Sequence, residues 1–315
     1  MKILFIILAG TFGFGAIAEI GLRITQGLGN PPLYIADRDI GYLLAPNQKL
    51  RRGGNLIATN SYSMRDRELK PEKEREKKRI FLLGDSVVNG SWWTDQSKIL
   101  PALVEEKLQK TQSNKFEVFN ASTNSWGPRN ELAYIQRYGL FDTDLLILVI
   151  NTDDLFATEP TSLVVGKSPS YPDKAPTLAL IELYQFYLAP PRQIPELEKM
   201  RSARAENLTA NLAAIQEIKA IAQKSNTQFI LALTPLLREF EPEGSTSEET
   251  AARMSLEKLV EKEKINYLDF LKIWSDFPQP EFLYRDFIHP SPQGNTKVVE
   301  QVILSIEQLL ITSDQ

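Results

Sequence analysis

Arg79-Ile80-Phe81-Leu82-Leu83-Gly84-Asp85-Ser86 is an apolar run that stops abruptly at Gly-Asp-Ser. Four consecutive apolar residues suit a short strand buried on both faces. Gly, Asp and Ser then end it as turn residues do, and a serine at such a strand end can be a nucleophile. Taken alone the tripeptide is a common turn, and Ser86 also suits a helix N-cap. A distant partner sharpens it. The one histidine among 315 residues, His289, sits in Asp286-Phe287-Ile288-His289-Pro290. Asp286, three positions earlier, can reach the imidazole within one turn of chain. Ser86, His289 and Asp286 therefore form a candidate catalytic site.

Outward from this run, further apolar stretches of strand length occur at 116–119, 145–150, 229–233 and 265–270. Helical patterns separate them. Leu100, Leu103, Val104 and Leu108 mark one face; Leu208, Leu212, Ile215 and Ile218 a second; Val299, Val302, Ile303 and Ile306 a last one. Ser245-Thr246-Ser247-Glu248-Glu249 offers two overlapping capping boxes ahead of another helix. Buried strands alternating with helices predict an α/β fold, a three-layer αβα sandwich around a parallel five-stranded sheet. In such sheets ligands bind beyond the carboxyl ends of the strands. Gly84-Asp85-Ser86, the stretch 120–127, Asn151-Thr152-Asp153-Asp154 and Asp286-x-x-His289 all follow strands, so they converge on one rim. Segment 156–202 breaks the rhythm with seven prolines and reads as an insertion over the sheet edge or the site.

The amino terminus decides the compartment. Met1-Lys2 precedes an almost uncharged run, 3–20, interrupted only by Glu19, with Ala16-Ile17-Ala18 just before it. Residues 1–28 read as a secretory signal peptide or a membrane anchor, which predicts a periplasmic, extracellular or membrane-anchored protein. The pattern is compatible with either cleavage or retention. Residues 29–78 form a β-rich extension and a charged connector, with Arg51-Arg52-Gly53-Gly54 as a hairpin turn between 41–44 and 55–59. The main domain is expected over 79–315. A net charge of −4, from 36 basic and 40 acidic residues, gives no nucleic-acid footprint. With no cysteine and one histidine, thiolate and histidine-rich metal sites are excluded, and no cofactor is expected.

These residues resemble the SGNH (GDSL-type) hydrolases. Ile80-Phe81-Leu82-Leu83-Gly84-Asp85-Ser86 looks like their first block and Asp286-Phe287-Ile288-His289-Pro290 like their last; Asn60-Ser61-Tyr62-Ser63-Met64-Arg65 is similar to a segment that precedes the serine block in exported members. The resemblance spans about 42 to 310. It implies a flavodoxin-like αβα fold and cleavage of esters, including acetyl groups on sugars. It also implies Ser86 as nucleophile, His289 as general base and Asp286 as its orienting carboxylate. In the family a glycine N–H and an asparagine side chain complete the oxyanion hole with the serine N–H. Here Ser125 stands at the glycine position and Asp153 at the asparagine position. Serine keeps the N–H but reaches φ > 0 less cheaply. An ionised Asp153 has no donor and would repel the developing charge. Only protonation would let it serve, failing which Asn124 or Asn151 must replace it.

Three functions follow as expectations. The first is a serine esterase acting on acyl esters, O-acetyl among them, of an envelope glycan or lipid. An acyltransferase would use the same triad with a sugar hydroxyl in place of water. A non-catalytic envelope-binding protein would keep the fold with a degraded oxyanion hole. Trp92 and Trp93 suit either sugar stacking or packing, and Arg51, Arg52, Arg65 and Arg238 either an anionic substrate or ordinary solvated charge.

Overall fold

The computed structural model describes residues 1–112 and 115–311. The chain begins with α1 (Lys2–Gln26), then two antiparallel hairpins, β1 (Tyr34–Asp37) with β2 (Gly41–Leu44) and β3 (Lys49–Arg52) with β4 (Asn55–Ala58). The parallel core follows: β5 (Lys78–Gly84), α2 (Ser86–Asn89), α3 (Leu100–Gln112), β6 (Phe116–Ser122), α4 (Pro128–Tyr138) and β7 (Leu145–Asn151). Two short helices, α5 (Ala179–Tyr187) and α6 (Pro195–Ser202), precede α7 (Arg204–Lys224). The chain closes with β8 (Gln228–Thr234), α8 (Ser247–Glu263), β9 (Asn266–Asp269), α9 (Phe270–Ile273) and α10 (Pro292–Ile306).

The sheet order is β6-β5-β7-β8-β9, with every neighbouring pair parallel. This is the doubly wound order of flavodoxin-like folds, and its switch point lies between β5 and β7. Alternation along the strands makes the three layers. Phe81, Leu83, Leu146, Leu148 and Leu231 face α4, α7 and α8, while Ile80, Leu82, Ile147, Val149 and Ile230 face α3, α9 and α10. Gly84 is fixed by close approach. A Cβ there would lie 2.5 Å from both the Val149 carbonyl oxygen of β7 and Val88 of α2.

α1 spans 25 residues, about 37 Å at the helical rise. None of them is buried, and its most apolar window has a mean hydropathy of 2.1. By length and composition it can cross a membrane, as a signal sequence or an anchor would. Its last turns are tied to the domain. The Glu19 carboxylate accepts from the first N–H groups of α5, Ala179 (2.8 Å) and Leu180 (3.0 Å), and Arg23 donates to the Thr177 carbonyl (2.9 Å).

The hairpin partners differ from the sequence expectation. Gly53 and Gly54 do form the turn, both at positive φ as a type I′ turn requires. They join β4 to Lys49–Arg52, however, and β2 pairs with β1 instead. Arg79, at the end of the charged connector, is buried: it donates to Glu117 at 2.7 Å and to the Pro71 carbonyl at 2.9 Å.

Candidate active site

Ser86 is the first residue of α2, at the carboxyl end of β5 and beside the switch point. The N-cap is Asp85, whose carboxylate accepts from Val87 N at 2.8 Å, so the cap role open to Ser86 falls to its neighbour. That leaves the Ser86 hydroxyl for other partners. His289 Nε2 lies 2.9 Å from Ser86 Oγ, and His289 Nδ1 lies 2.8 Å from Asp286 Oδ2. Asp286 Oδ1 also accepts from the backbone N–H of Ile288 (3.0 Å) and His289 (2.9 Å), which closes the turn that carries the imidazole. Burial pushes the Asp286 carboxyl up, but those two N–H groups and the imidazole outweigh it and hold it below the usual carboxylate range. Trp93 packs edge-on against the imidazole, ring centroids 4.9 Å apart. The fold thus brings Ser86, His289 and Asp286 into one hydrogen-bonded chain.

Ser125 reaches the same place by a strained backbone. Its φ is 58°, the left-handed conformation that an L-residue adopts at a cost of about 1–2 kcal/mol. Two tyrosines hold it there. Tyr42 donates to the Asn124 carbonyl at 2.8 Å, and Tyr171, from the proline-rich segment, donates to Ser125 Oγ at 2.9 Å.

Asp153 sits in the turn after β7 with its side chain exposed, and its N–H donates to Asn151 Oδ1 at 2.8 Å. Partial desolvation, then Glu249, raise its carboxyl above the usual range against the pull of Arg204 and Arg238. Asn151 is committed elsewhere. Its Nδ2 donates to Asp154 (2.7 Å) and to Asp85 (3.1 Å). Asn124 borders the cavity that holds Ser86 and His289, and its Oδ1 accepts from Ser91 Oγ at 3.2 Å.

Beneath the serine lies a group of buried carboxyls. Asp85 Oδ2 is 3.2 Å from Ser86 Oγ, and Asp154 shares Asn151 with it. Glu131 of α4 is fully buried, and among the described residues neither of its oxygens has a hydrogen-bond partner. Burial is the first cause that raises all three, and the charge of Asp85 raises Asp154 and Glu131 further. Among the described residues no cluster of three or more metal-ligating side chains is placed to hold an ion.

Two cavities meet at the serine. One, of about 260 Å³, is walled by residues of the β1–β4 region, Trp92, Trp93 and the proline-rich segment. The other, of about 520 Å³, runs past Asp153, Glu159, Arg201 and Arg204. Ser86, Ser125, Tyr171 and His289 border both. The arginines singled out in the sequence are engaged. Arg65 donates to the carbonyls of Asn89 (2.6 Å) and Thr94 (2.5 Å), Arg52 pairs with Glu182, Arg238 with Glu249, and Arg51 donates to the Gly54 carbonyl at 2.9 Å. Tyr171 carries no local sequence signal, since it reaches Ser125 only through a contact made across the fold.

The profile of the GDSL-like lipase/acylhydrolase family matches residues 82–297. No curated protein matches the chain. Among solved structures, a catalytic mutant of an acetylxylan esterase from Geobacillus stearothermophilus is similar at 13% identity. The match covers 73% of this chain and 94% of that one, with a TM-score of 0.50. A lipase/acylhydrolase from Enterococcus faecalis is similar at 16% identity over 73% of this chain and 96% of that one, with a TM-score of 0.46.

Proposed function

The chain belongs to the GDSL-like lipase/acylhydrolase family and is an ester hydrolase, and from that premise we propose that it works through an acyl-enzyme on Ser86, with His289 as general base and Asp286 as the orienting carboxylate. The observation that carries this reading is the unbroken series of contacts from Asp286 through His289 to Ser86 Oγ. An Nδ1–H held by Asp286 leaves the Nε2 lone pair facing the hydroxyl. In acylation Oγ bonds to the ester carbonyl carbon as its proton passes to Nε2. The bond to the alcohol oxygen then breaks, and that oxygen takes the proton from His289. In deacylation a water gives a proton to Nε2 and adds to the same carbon, and Ser86 Oγ leaves with the proton.

The N–H groups of Ser86 and Ser125 are the fixed donors for the carbonyl oxygen, and the held left-handed backbone of Ser125 supports that role. Asp153 joins them only in its protonated form, and the Asn124 amide is the alternative third donor. The apolar, exposed α1 supports a substrate outside the cytoplasm, an acyl ester of an envelope glycan or lipid. The test is acid release from p-nitrophenyl esters and acetylated oligosaccharides by the full chain and by Ser86→Ala. Turnover that falls at least 10³-fold, roughly, in the variant supports the reading. Unchanged turnover overturns it. A sugar acceptor added to the same assay separates transfer from hydrolysis by its acylated product.

A further inference from the structure

We propose that the cavity of about 260 Å³ beside Ser86 is the acyl site and that it takes a medium-length hydrocarbon chain rather than acetyl. The proposal rests on the reading of Ser86 as nucleophile. An ester bound with its carbonyl at Ser86 must send its two halves in different directions, and the two cavities that meet at Ser86, Ser125, Tyr171 and His289 offer two such directions. Their chemistry assigns them.

Away from the shared rim, the smaller cavity is walled mostly by apolar residues such as Tyr34, Ile57, Trp92 and Phe186, with Asn89, Ser91 and Asn124 among them. The two cations on its border are already satisfied. Arg65 is spent on backbone carbonyls, and Arg52 is paired with Glu182 and lies 5.5 Å from the centre of the Trp92 ring. Such a wall offers a ligand apolar surface and few unmet polar groups. The larger cavity sets the charged Asp153, Glu159, Arg201 and Arg204 among apolar residues such as Phe156 and Phe287. The arginines pair with Glu198 and Glu248 at the exposed surface, so these charged groups stay in reach of the hydroxyls of an alcohol leaving group.

Size selects the chain length. A dry cavity of about 150 Å³ holds a six-carbon ring, so 260 Å³ has room for roughly six to ten carbons. An acetyl group would leave most of it empty. The walls are also preformed. The extension 29–78 and the insertion 156–202 are stapled across the cavity by Tyr34 N donating to the Pro172 carbonyl (2.8 Å), by Gly29 N donating to Glu182 (2.5 Å) and by the Tyr34–Tyr171 ring contact at 5.0 Å. The acyl site is thus built largely from segments outside the β-α core that carries the triad.

The test uses the full chain in nanodiscs with p-nitrophenyl esters from acetate to decanoate. Burial of each methylene is worth about a fourfold gain, so kcat/KM is expected to rise at least 10²-fold, roughly, from acetate to a maximum at hexanoate or octanoate. Ser170 borders the cavity with its own side chain exposed, so Ser170→Trp should fill the space without disturbing the core and shift the maximum to acetate. A second measurement is independent of turnover: calorimetric titration of Ser86→Ala with butyrate and octanoate. Octanoate should bind saturably and more tightly than butyrate, and Ser170→Trp in the same background should abolish the difference. A profile that is flat or falls from acetate onward, or equal weak binding of both acids, overturns the acyl site. Saturable octanoate binding with no turnover of any ester would keep the cavity as an acyl site and overturn the nucleophile reading instead.

Discussion

Replacing Asp286 by asparagine alters one atom that matters to the chemistry and preserves the turn around it. Asp286 Oδ1 accepts from Ile288 N and His289 N at 3.0 and 2.9 Å, and an amide oxygen can accept both. Oδ2 faces His289 Nδ1 at 2.8 Å, and there Asp286→Asn would present an amide donor. Nδ1 must then accept, which moves the ring proton to Nε2. That nitrogen lies 2.9 Å from Ser86 Oγ and would have no lone pair for the serine proton. Wrong-tautomer substitutions of this kind lower kcat by about 10⁴. The expected result is therefore a kcat loss of about 10⁴ with KM changed less than about threefold, because substrate contacts are untouched. Steady-state hydrolysis of p-nitrophenyl butyrate measures both parameters, and circular dichroism with a thermal melt checks the fold. A folded Asp286→Asn enzyme with kcat within tenfold of wild type would mean that the imidazole is oriented by something other than Asp286.

Two other side chains give predictions of opposite kind. Asp153→Asn should leave folding intact and raise kcat by about 10-fold to 100-fold, because an amide donates where an ionised carboxylate repels. The gain should be largest at pH values where Asp153 is ionised in the wild type, and equal or lower activity would count against an oxyanion role. Glu131 has its folded pKa raised by burial and by Asp85, so its stabilising contribution is complete below the ordinary carboxylate range and is lost as pH rises through the folded value. Glu131→Gln should therefore flatten the fall of Tm with rising pH, with a melting point a few degrees (roughly) above wild type at pH 8 and no such advantage near pH 4. A parallel pair of Tm–pH curves would show that Glu131 does not carry its proton in the folded state.

What could be read from the sequence followed from burial. Strands β5, β7 and β8 are apolar on both faces at their centres, which stand out as runs, and the structure extends each by one to three residues. β9 is shorter than its apolar run because the Asp269 side chain accepts from Leu271 N and starts α9 at Phe270. Helix α4 was not expected. Its buried face is carried by Glu131, Tyr134 and Ile135, and a carboxylate in the middle of that face breaks the apolar period. Lys49–Arg52 gave no strand signal for a similar reason: Arg52 is buried through its pairing with Glu182, which only the folded chain supplies. The structure brings Ser86, His289 and Asp286 together, and the sequence marks all three because histidine is unique and the blocks follow strands. The tyrosines that hold Ser125 in its left-handed conformation were not, since Tyr42 and Tyr171 come from segments distant in sequence.

Every step of the acyl-enzyme route depends on Ser86 being a nucleophile activated by His289. Labelling of the folded, full-length chain with a small fluorophosphonate, followed by peptide mass spectrometry, tests it directly. One label per chain is expected, on Ser86, absent in Ser86→Ala and slowed at least 10³-fold, roughly, in His289→Ala. Folded protein that takes up no label, or that labels at Ser86 equally fast without His289, would contradict it.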